Sequence, residues 1–445
     1  MPSGTKKNVN RRTDVKAVSL AILKFPLLIL LVWGVILSAR LITVGGVWDD
    51  VESLTWVLFL ASALVYFLAM FFGVFLRCGK TVHFDSFSLD SKRDWIQRLS
   101  LISIFGAALI VYEFAITRGY GFSTPVSVIR ITEVDAATAG FEGSWISGVG
   151  RLLTPALMVA WVLAVLGWSE IRRRTLMLLC VASVAVFYQQ MMFEGGRFYL
   201  AALLLMVFFT KNFASLGKKK SSLNVKRILF WLFLFILALL AFGYVFVARY
   251  QQDDRVFAEA YETWAANFDL SVDEGMYTKL SGAASGLWLG IYMLWAYVTQ
   301  GVNELNTLLM HGRIDMAWGA SQFPQITQAI NKLTGVNLAY DQLQNLPKVG
   351  TYITLYGSSY IDFGLGGALV FFGAIGWLTG RAIKTLGSQR VNGLALNAPL
   401  LIALGMFAPI VSLTVNLWPA FCWALLVGMS VKNSSSVGST GVGRV

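Results

Sequence analysis

The stretch Leu355–Arg381 reads LYGSSYIDFGLGGALVFFGAIGWLTGR. A helix crosses the ~30 Å hydrocarbon core of a bilayer in about 20 apolar residues, and this stretch is long enough, yet it holds Asp362 between Ile361 and Phe363. A charged side chain in such a segment is costly and is kept at a membrane boundary or for a purpose. Asp362 precedes Arg381 by 19 residues, or ~28 Å along a helix. That spacing predicts Asp362 at one boundary and Arg381 near the other. The glycines that follow, Gly364, Gly366, Gly367, Gly373 and Gly376, predict close helix packing.

The rest of the chain has the same character. Of its 445 residues 56% are apolar and 13% charged, and the mean hydropathy is +0.65, which excludes an ordinary soluble domain and predicts an all-α, polytopic integral membrane protein. The 3 cysteines and 2 histidines are too few and too scattered for a disulfide framework or a Cys/His metal centre. The net charge of +12 is distributed as expected for a protein in lipid, with no nucleic-acid partner.

Apolar runs predict ten crossings, near 25–45, 54–76, 99–116, 152–168, 175–193, 198–212, 228–248, 352–379, 395–410 and 413–430. The intervening segments 1–24, 77–98, 169–174, 211–227, 380–394 and 431–445 hold 25 of the 36 lysines and arginines and only 5 of the 24 acidic residues. By the positive-inside rule these segments and both termini are cytoplasmic. The run Leu287–Val298 has only 12 residues, a length that favours a re-entrant or interfacial helix over a span. The resulting organisation is a cytoplasmic segment 1–24, a seven-helix region 25–248 with an outer loop 117–151, an outer region 249–350, C-terminal crossings within 351–430, and a low-complexity, disordered cytoplasmic tail 431–445. Loops as long as the two outer ones are usually functional.

Candidate chemistry gathers at the outer end. In FEGGRFYL, Arg197 follows Gly195-Gly196 and lies 14 residues before Lys211, only ~21 Å above the cytoplasmic face. A guanidinium at that depth faces a polar cavity, pairs with Glu194, or snorkels. Arg249 and Tyr250 end the crossing from Ile228 and Arg255 follows; an Arg-Tyr pair there is also an ordinary interfacial anchor. Converging arginines suit a pyrophosphate, whose oxygens a guanidinium grips in pairs. His311 is the one histidine of the outer side, the side chain best suited to proton abstraction near neutral pH, and Arg313 follows it. Asp362 could orient an arginine, act as a base or accept hydrogen bonds from sugar hydroxyls. Glu113 is an intramembrane acid with Arg118 within reach for an ion pair. Tyr261, Trp264, Phe268 and Tyr277 are candidates for stacking on sugar rings or for anchoring at the interface.

Three stretches, Gly195–Arg197, Ala296–Leu309 (AYVTQGVNELNTLL) and Tyr360–Gly367 (YIDFGLGG), together with the span count and the large loop before the late span, resemble the Wzy-type oligosaccharide repeat-unit polymerases of bacterial surface polysaccharide synthesis. The resemblance covers most of the chain from about Thr175 to Ser430. It implies an inner-membrane glycosyltransferase that takes undecaprenyl-pyrophosphate-linked oligosaccharides on the periplasmic face and moves the growing chain onto a new lipid-linked repeat unit. It implies no metal, nucleotide sugar or other cofactor, and admits a chain-length regulator as a further partner. Carried onto this chain, it gives Arg197 to the pyrophosphate and Asp362 to catalysis. The topology adds Arg249, Arg255 and Arg313 to the pyrophosphate, His311 to catalysis, and Tyr250 and Tyr360 to the sugars. An O-antigen ligase would share most of these features, whereas a transporter of the same lipids would be expected to carry polar groups through the membrane depth.

Overall fold

The structure is a computed structural model that describes residues 23–76, 89–121, 144–168, 171–194, 197–214, 257–266, 270–282, 284–311, 315–335, 353–387 and 397–413, with a few isolated positions besides. The helices that form the bundle are α1 (Lys24–Arg40), α2 (Ser53–Phe75), α3 (Leu89–Tyr112), α4 (Trp145–Leu153), α5 (Ala156–Leu166), α6 (Arg173–Gln189) and α7 (Arg197–Ala214). The region between residues 257 and 335 adds α8 (Phe257–Ala266), α9 (Glu274–Leu280), α10 (Ser285–Thr299), α11 (Gly301–Met310) and α12 (Pro324–Thr334). The chain then returns through α13 (Leu355–Gly387) and α14 (Ala398–Phe407).

Among the described residues four helical stretches are long and apolar enough to cross a membrane: Ser53–Phe75, Arg93–Thr117, Trp145–Leu166 and Leu355–Thr385. Ala201–Asn212 and Ala398–Phe407 are apolar but shorter. The chain is thus helical and of membrane type, with four such helices where the apolar runs led us to expect ten crossings. The α1 and α6 helices have 17 residues each, about 25 Å of rise, and the expected crossings at 228–248 and 413–430 lie wholly or largely outside the described residues. Two boundaries also move. The α3 helix starts ten residues before the expected 99, in the polar LDSKRDWIQR run. The stretch Trp145–Leu166 starts seven before the expected 152, where the Ser144 side chain caps α4 by accepting the Ser147 N–H.

The helix pair at the centre of the bundle is α2 and α13, the most extensive helix contact described. Its close approach is built on glycine: a Cβ on Gly380 would stand 2.0 Å from the Met70 carbonyl oxygen, and one on Gly376 2.3 Å from that of Tyr66. Without side chains there the two backbones meet, and dispersion forces act along the seam in the way expected of small-residue helix pairs in lipid. Around this seam Tyr66, Trp33, Tyr356 and Phe372 stack into the main core.

The two ends of the bundle are tied by different segments. At one end Lys384 Nζ donates to the Leu76 carbonyl at 2.6 Å and Arg381 to the same oxygen at 3.2 Å; Arg381 and Lys384 lie in the basic segment 380–394 of the sequence reading, and Leu76 directly precedes the basic segment 77–98. At the other, the 46–48 and 270–272 segments pair as an antiparallel two-stranded ladder, β1 (Gly46–Trp48) with β2 (Leu270–Val272), with Val47 opposite Ser271. Trp295 donates to the Ala39 carbonyl at 2.9 Å, and Trp48 to the Thr299 hydroxyl at 3.0 Å. The apolar run expected to dip near 287–298 is therefore α10, seated across the end of α1, and the chain continues through Gln300 into α11.

One residue of α11 caps a distant helix. Asn306 Oδ1 accepts the Glu52 N–H at 3.1 Å and the Thr55 hydroxyl at 2.8 Å, satisfying the start of α2 from outside. Loss of such a cap costs ~1 kcal/mol. Asn306→Ala is expected to lower the melting temperature of the detergent-solubilised protein by a few degrees, and Asn306→Asp to retain most of it.

Candidate functional site

Asp362 is fully buried, and its partners explain why it can be. One carboxylate oxygen accepts the backbone N–H of Ser321 at 2.8 Å and the other that of Gln322 at 2.8 Å. Its own carbonyl accepts the Trp318 N–H at 3.0 Å, and the Ile361 carbonyl that of Ala317 at 3.0 Å. Backbone donors to both oxygens offset part of the cost of burying the carboxyl group away from water. The helix breaks just beyond it, at Gly364 with φ 64° and ψ −172°, a backbone region open essentially to glycine alone. The break separates a helical segment, 355–363, that carries Asp362 from the longer helix that starts at Leu365.

The clasp extends into a buried polar network. Gln322 Nε2 donates to the Ser358 and Ser359 hydroxyls at 2.9 and 3.2 Å, and Ser358 to Ser412 at 3.1 Å. Backbone bonds from Ser412 to the Ile353 carbonyl, at 2.7 Å, and from Leu355 to that of Ala408, at 3.1 Å, complete it. Segments 317–322, 353–362 and 408–412 are thus sewn into one unit. The network shows no sequence signature: each partner is a serine, glutamine or peptide N–H from a segment remote in the chain.

The turn that Asp362 holds is unusual. Trp318, with φ 49°, is the one non-glycine residue at positive φ among the described residues. For a bulky L-residue that conformation costs ~1–2 kcal/mol, which the clasp offsets. Next to this unit, the α10–α11 junction buries Gln300, Asn303 and Glu304. Among the described residues the Gln300 carboxamide has no hydrogen-bond partner at either atom and Asn303 none at its Oδ1, a costly arrangement in apolar surroundings. These three residues lie within the stretch Ala296–Leu309, but their chemistry was not read from the sequence; three polar residues in five positions directly after an apolar run was the available signal.

The expected site residues separate into groups. Asp362 is buried and His311 exposed at the end of α11, so the two do not face one accessible space, and each carboxylate oxygen already accepts a backbone N–H of the turn. Tyr360 is half-buried beside Asp362, packed with Ile361 and Leu308. Arg197 is the first residue of α7. Arg249, Tyr250, Arg255 and Arg313 lie outside the described residues. Tyr261 is wholly buried against Tyr292, ring centroids 5.6 Å apart, in the core of the 257–297 region, so it is available neither to stack on a sugar nor to anchor at the interface. Burial there pushes its phenol well above the usual range, so it remains neutral. Tyr277 is exposed, and a hydrogen bond with Glu262 raises its pKa.

Glu113 pairs as its spacing allowed. It is buried, its Oε1 meets Arg118 Nε at 3.1 Å, and the Ser144 hydroxyl donates to its other oxygen. It sits on a π-helical turn, Glu113–Thr117, and a second such turn, Gln190–Glu194, leads to the Gly195-Gly196-Arg197 stretch. Such turns are rare and frequent at functional sites.

Among the described residues no three His, Cys, Asp or Glu side chains come together as a group able to hold a metal ion. Comparison with protein-family models, with curated proteins and with solved structures gave no match to this chain.

Proposed function

We propose that this chain is a membrane glycosyltransferase that polymerises polyprenyl-pyrophosphate-linked oligosaccharide repeat units, with its site at the end of the bundle where β1 meets β2. The observation that supports this most is the packing of two of the three stretches that carry the resemblance. Leu308, near the end of Ala296–Leu309, lies against Gly357 and shares a core cluster with Tyr360 and Ile361. The polar residues of both stretches are thereby gathered at one end of the bundle, beside the buried polar unit.

In this reading that end faces the periplasm of a bacterial inner membrane. The acceptor hydroxyl of a new repeat unit attacks the anomeric carbon of the growing chain. The bond from that carbon to the pyrophosphate oxygen breaks, the lipid pyrophosphate leaves, and the hydroxyl proton passes to a base. His311, exposed, is the proposed base. Arg197, with Arg249, Arg255 and Arg313, binds the pyrophosphate and stabilises the charge that develops on it. Asp362 takes the part of a positioning residue, holding the 317–322 turn rather than accepting the proton. Tyr250 and Tyr360 are the proposed sugar contacts, and a chain-length regulator is a further proposed partner.

The purified protein in proteoliposomes, given lipid-linked repeat units alone, is expected to build a ladder of polymers. His311→Ala is expected to slow it by about 100-fold or more, the scale of general-base loss, and Arg197→Ala by a similar or larger factor. Transfer only when core oligosaccharide is supplied would make the chain a ligase. Movement of the lipid across the membrane without bond formation would make it a transporter.

A further inference from the structure

The helix α12 is amphipathic with its apolar side turned outward. Ile326, Ile330 and Leu333 recur at helical spacing and are all exposed, Leu333 at 86%, while polar Thr327 is buried. A soluble domain would bury such a stripe. At about 100° per residue, positions 326, 330 and 333 fall within one narrow sector, Thr327 and Asn331 turn toward the protein, and positions 325, 328 and 332 occupy the third sector. Just before the helix Trp318 is 77% exposed and Phe323 36%. Its indole is fixed outward by the strained, Asp362-clasped turn.

The location of this stripe identifies what covers it. The crossing part of α13 rises by 16 residue steps from Leu365 to Arg381, ~24 Å, and Arg381 and Lys384 are tied down at its other end. The clasped turn therefore stands close to one hydrocarbon thickness from that cationic end. It is also continuous with the apolar outer surface of α13, where Leu365 and Val370 are exposed. Tryptophan is the residue enriched at this level of a bilayer.

We infer that the segment 315–334 is a membrane-interface element: the Ile326, Ile330 and Leu333 face and the Trp318 indole sit in the boundary between acyl chains and headgroups of the surrounding bilayer, and Asp362 holds them there. Seating a helix at this depth, ~5–10 Å into the boundary, ties the region after α11 to the membrane surface. This inference does not depend on the proposed reaction.

The test uses the full chain in phosphatidylcholine/phosphatidylglycerol vesicles, with Cys78, Cys180 and Cys422 replaced by alanine and one cysteine at a time placed at 326, 328, 330 or 333 to carry a nitroxide. Collision with oxygen is expected to exceed collision with a water-soluble nickel chelate at 326, 330 and 333, with the order reversed at 328. Dominance of the chelate at all four would put the stripe in water and overturn the inference. Shielding of 326, 330 and 333 from both reagents would mean that protein, not lipid, covers the face, and would overturn it equally.

Discussion

Asp362→Ala is expected to abolish polymer formation and to free the 315–334 segment while the α2–α13 pair persists. The substitution strips both carboxylate oxygens from the backbone N–H groups of Ser321 and Gln322. Each buried donor left unsatisfied costs ~1–3 kcal/mol, so the turn loses about 2–6 kcal/mol and Trp318 leaves its positive φ. Limited proteolysis is expected to cut within 315–334 at least tenfold faster than in the parent protein. Asp362→Asn is expected to restore little, because one of its two terminal atoms is an NH2 that would face a backbone N–H. If instead Asp362 were the base, the alanine variant would lose activity with the segment as protected as before, and proteolysis separates the two roles.

Gly380→Val is expected to prevent stable packing of the bundle. Its Cβ would fall 2.0 Å from the Met70 carbonyl oxygen and 2.9 Å from the carbonyl carbon, and backbone cannot step aside as a side-chain tip can. Overpacking of this kind costs ~1–3 kcal/mol where side chains give way, and more where two helices must separate. Monodisperse yield in detergent is expected to collapse, with Gly376→Val nearly as severe. Gly366→Ala is the control: no atom stands within 4 Å of its added methyl, and surface changes of this sort are usually within ±0.5 kcal/mol. Equal damage from all three would mean that helix backbone effects, not the α2–α13 seam, set the stability.

What could be read from the chain follows how local each signal is. The α2 helix was expected at 54–76 and runs Ser53–Phe75, because a long apolar run between polar ends fixes a membrane helix by itself. The glycines of α13 announced a close approach, and Gly376 makes one. The presence of an acid, Asp362, near the start of the apolar run of α13 also followed from the letters alone. Its partners did not, since a peptide N–H at position 321 has no letter in the sequence. The α12 helix escaped notice for another reason: with Thr327 and Asn331 on it, its hydropathy is low. Pro324 at its first turn and Gly335, at φ 69°, beyond its end were the signals available. Tyr261 shows the converse case: an aromatic residue of an outer region, left open between sugar stacking and interfacial anchoring, is found in a core.

The most direct measurement is the amount of lipid pyrophosphate released by the purified protein in proteoliposomes supplied with lipid-linked repeat units alone, taken together with product length. The expected result is one lipid pyrophosphate freed for each repeat unit joined, in the parent protein, with both release and elongation lost together in Asp362→Ala and His311→Ala. Release without elongation, or no release at any substrate level, would contradict the polymerase reading.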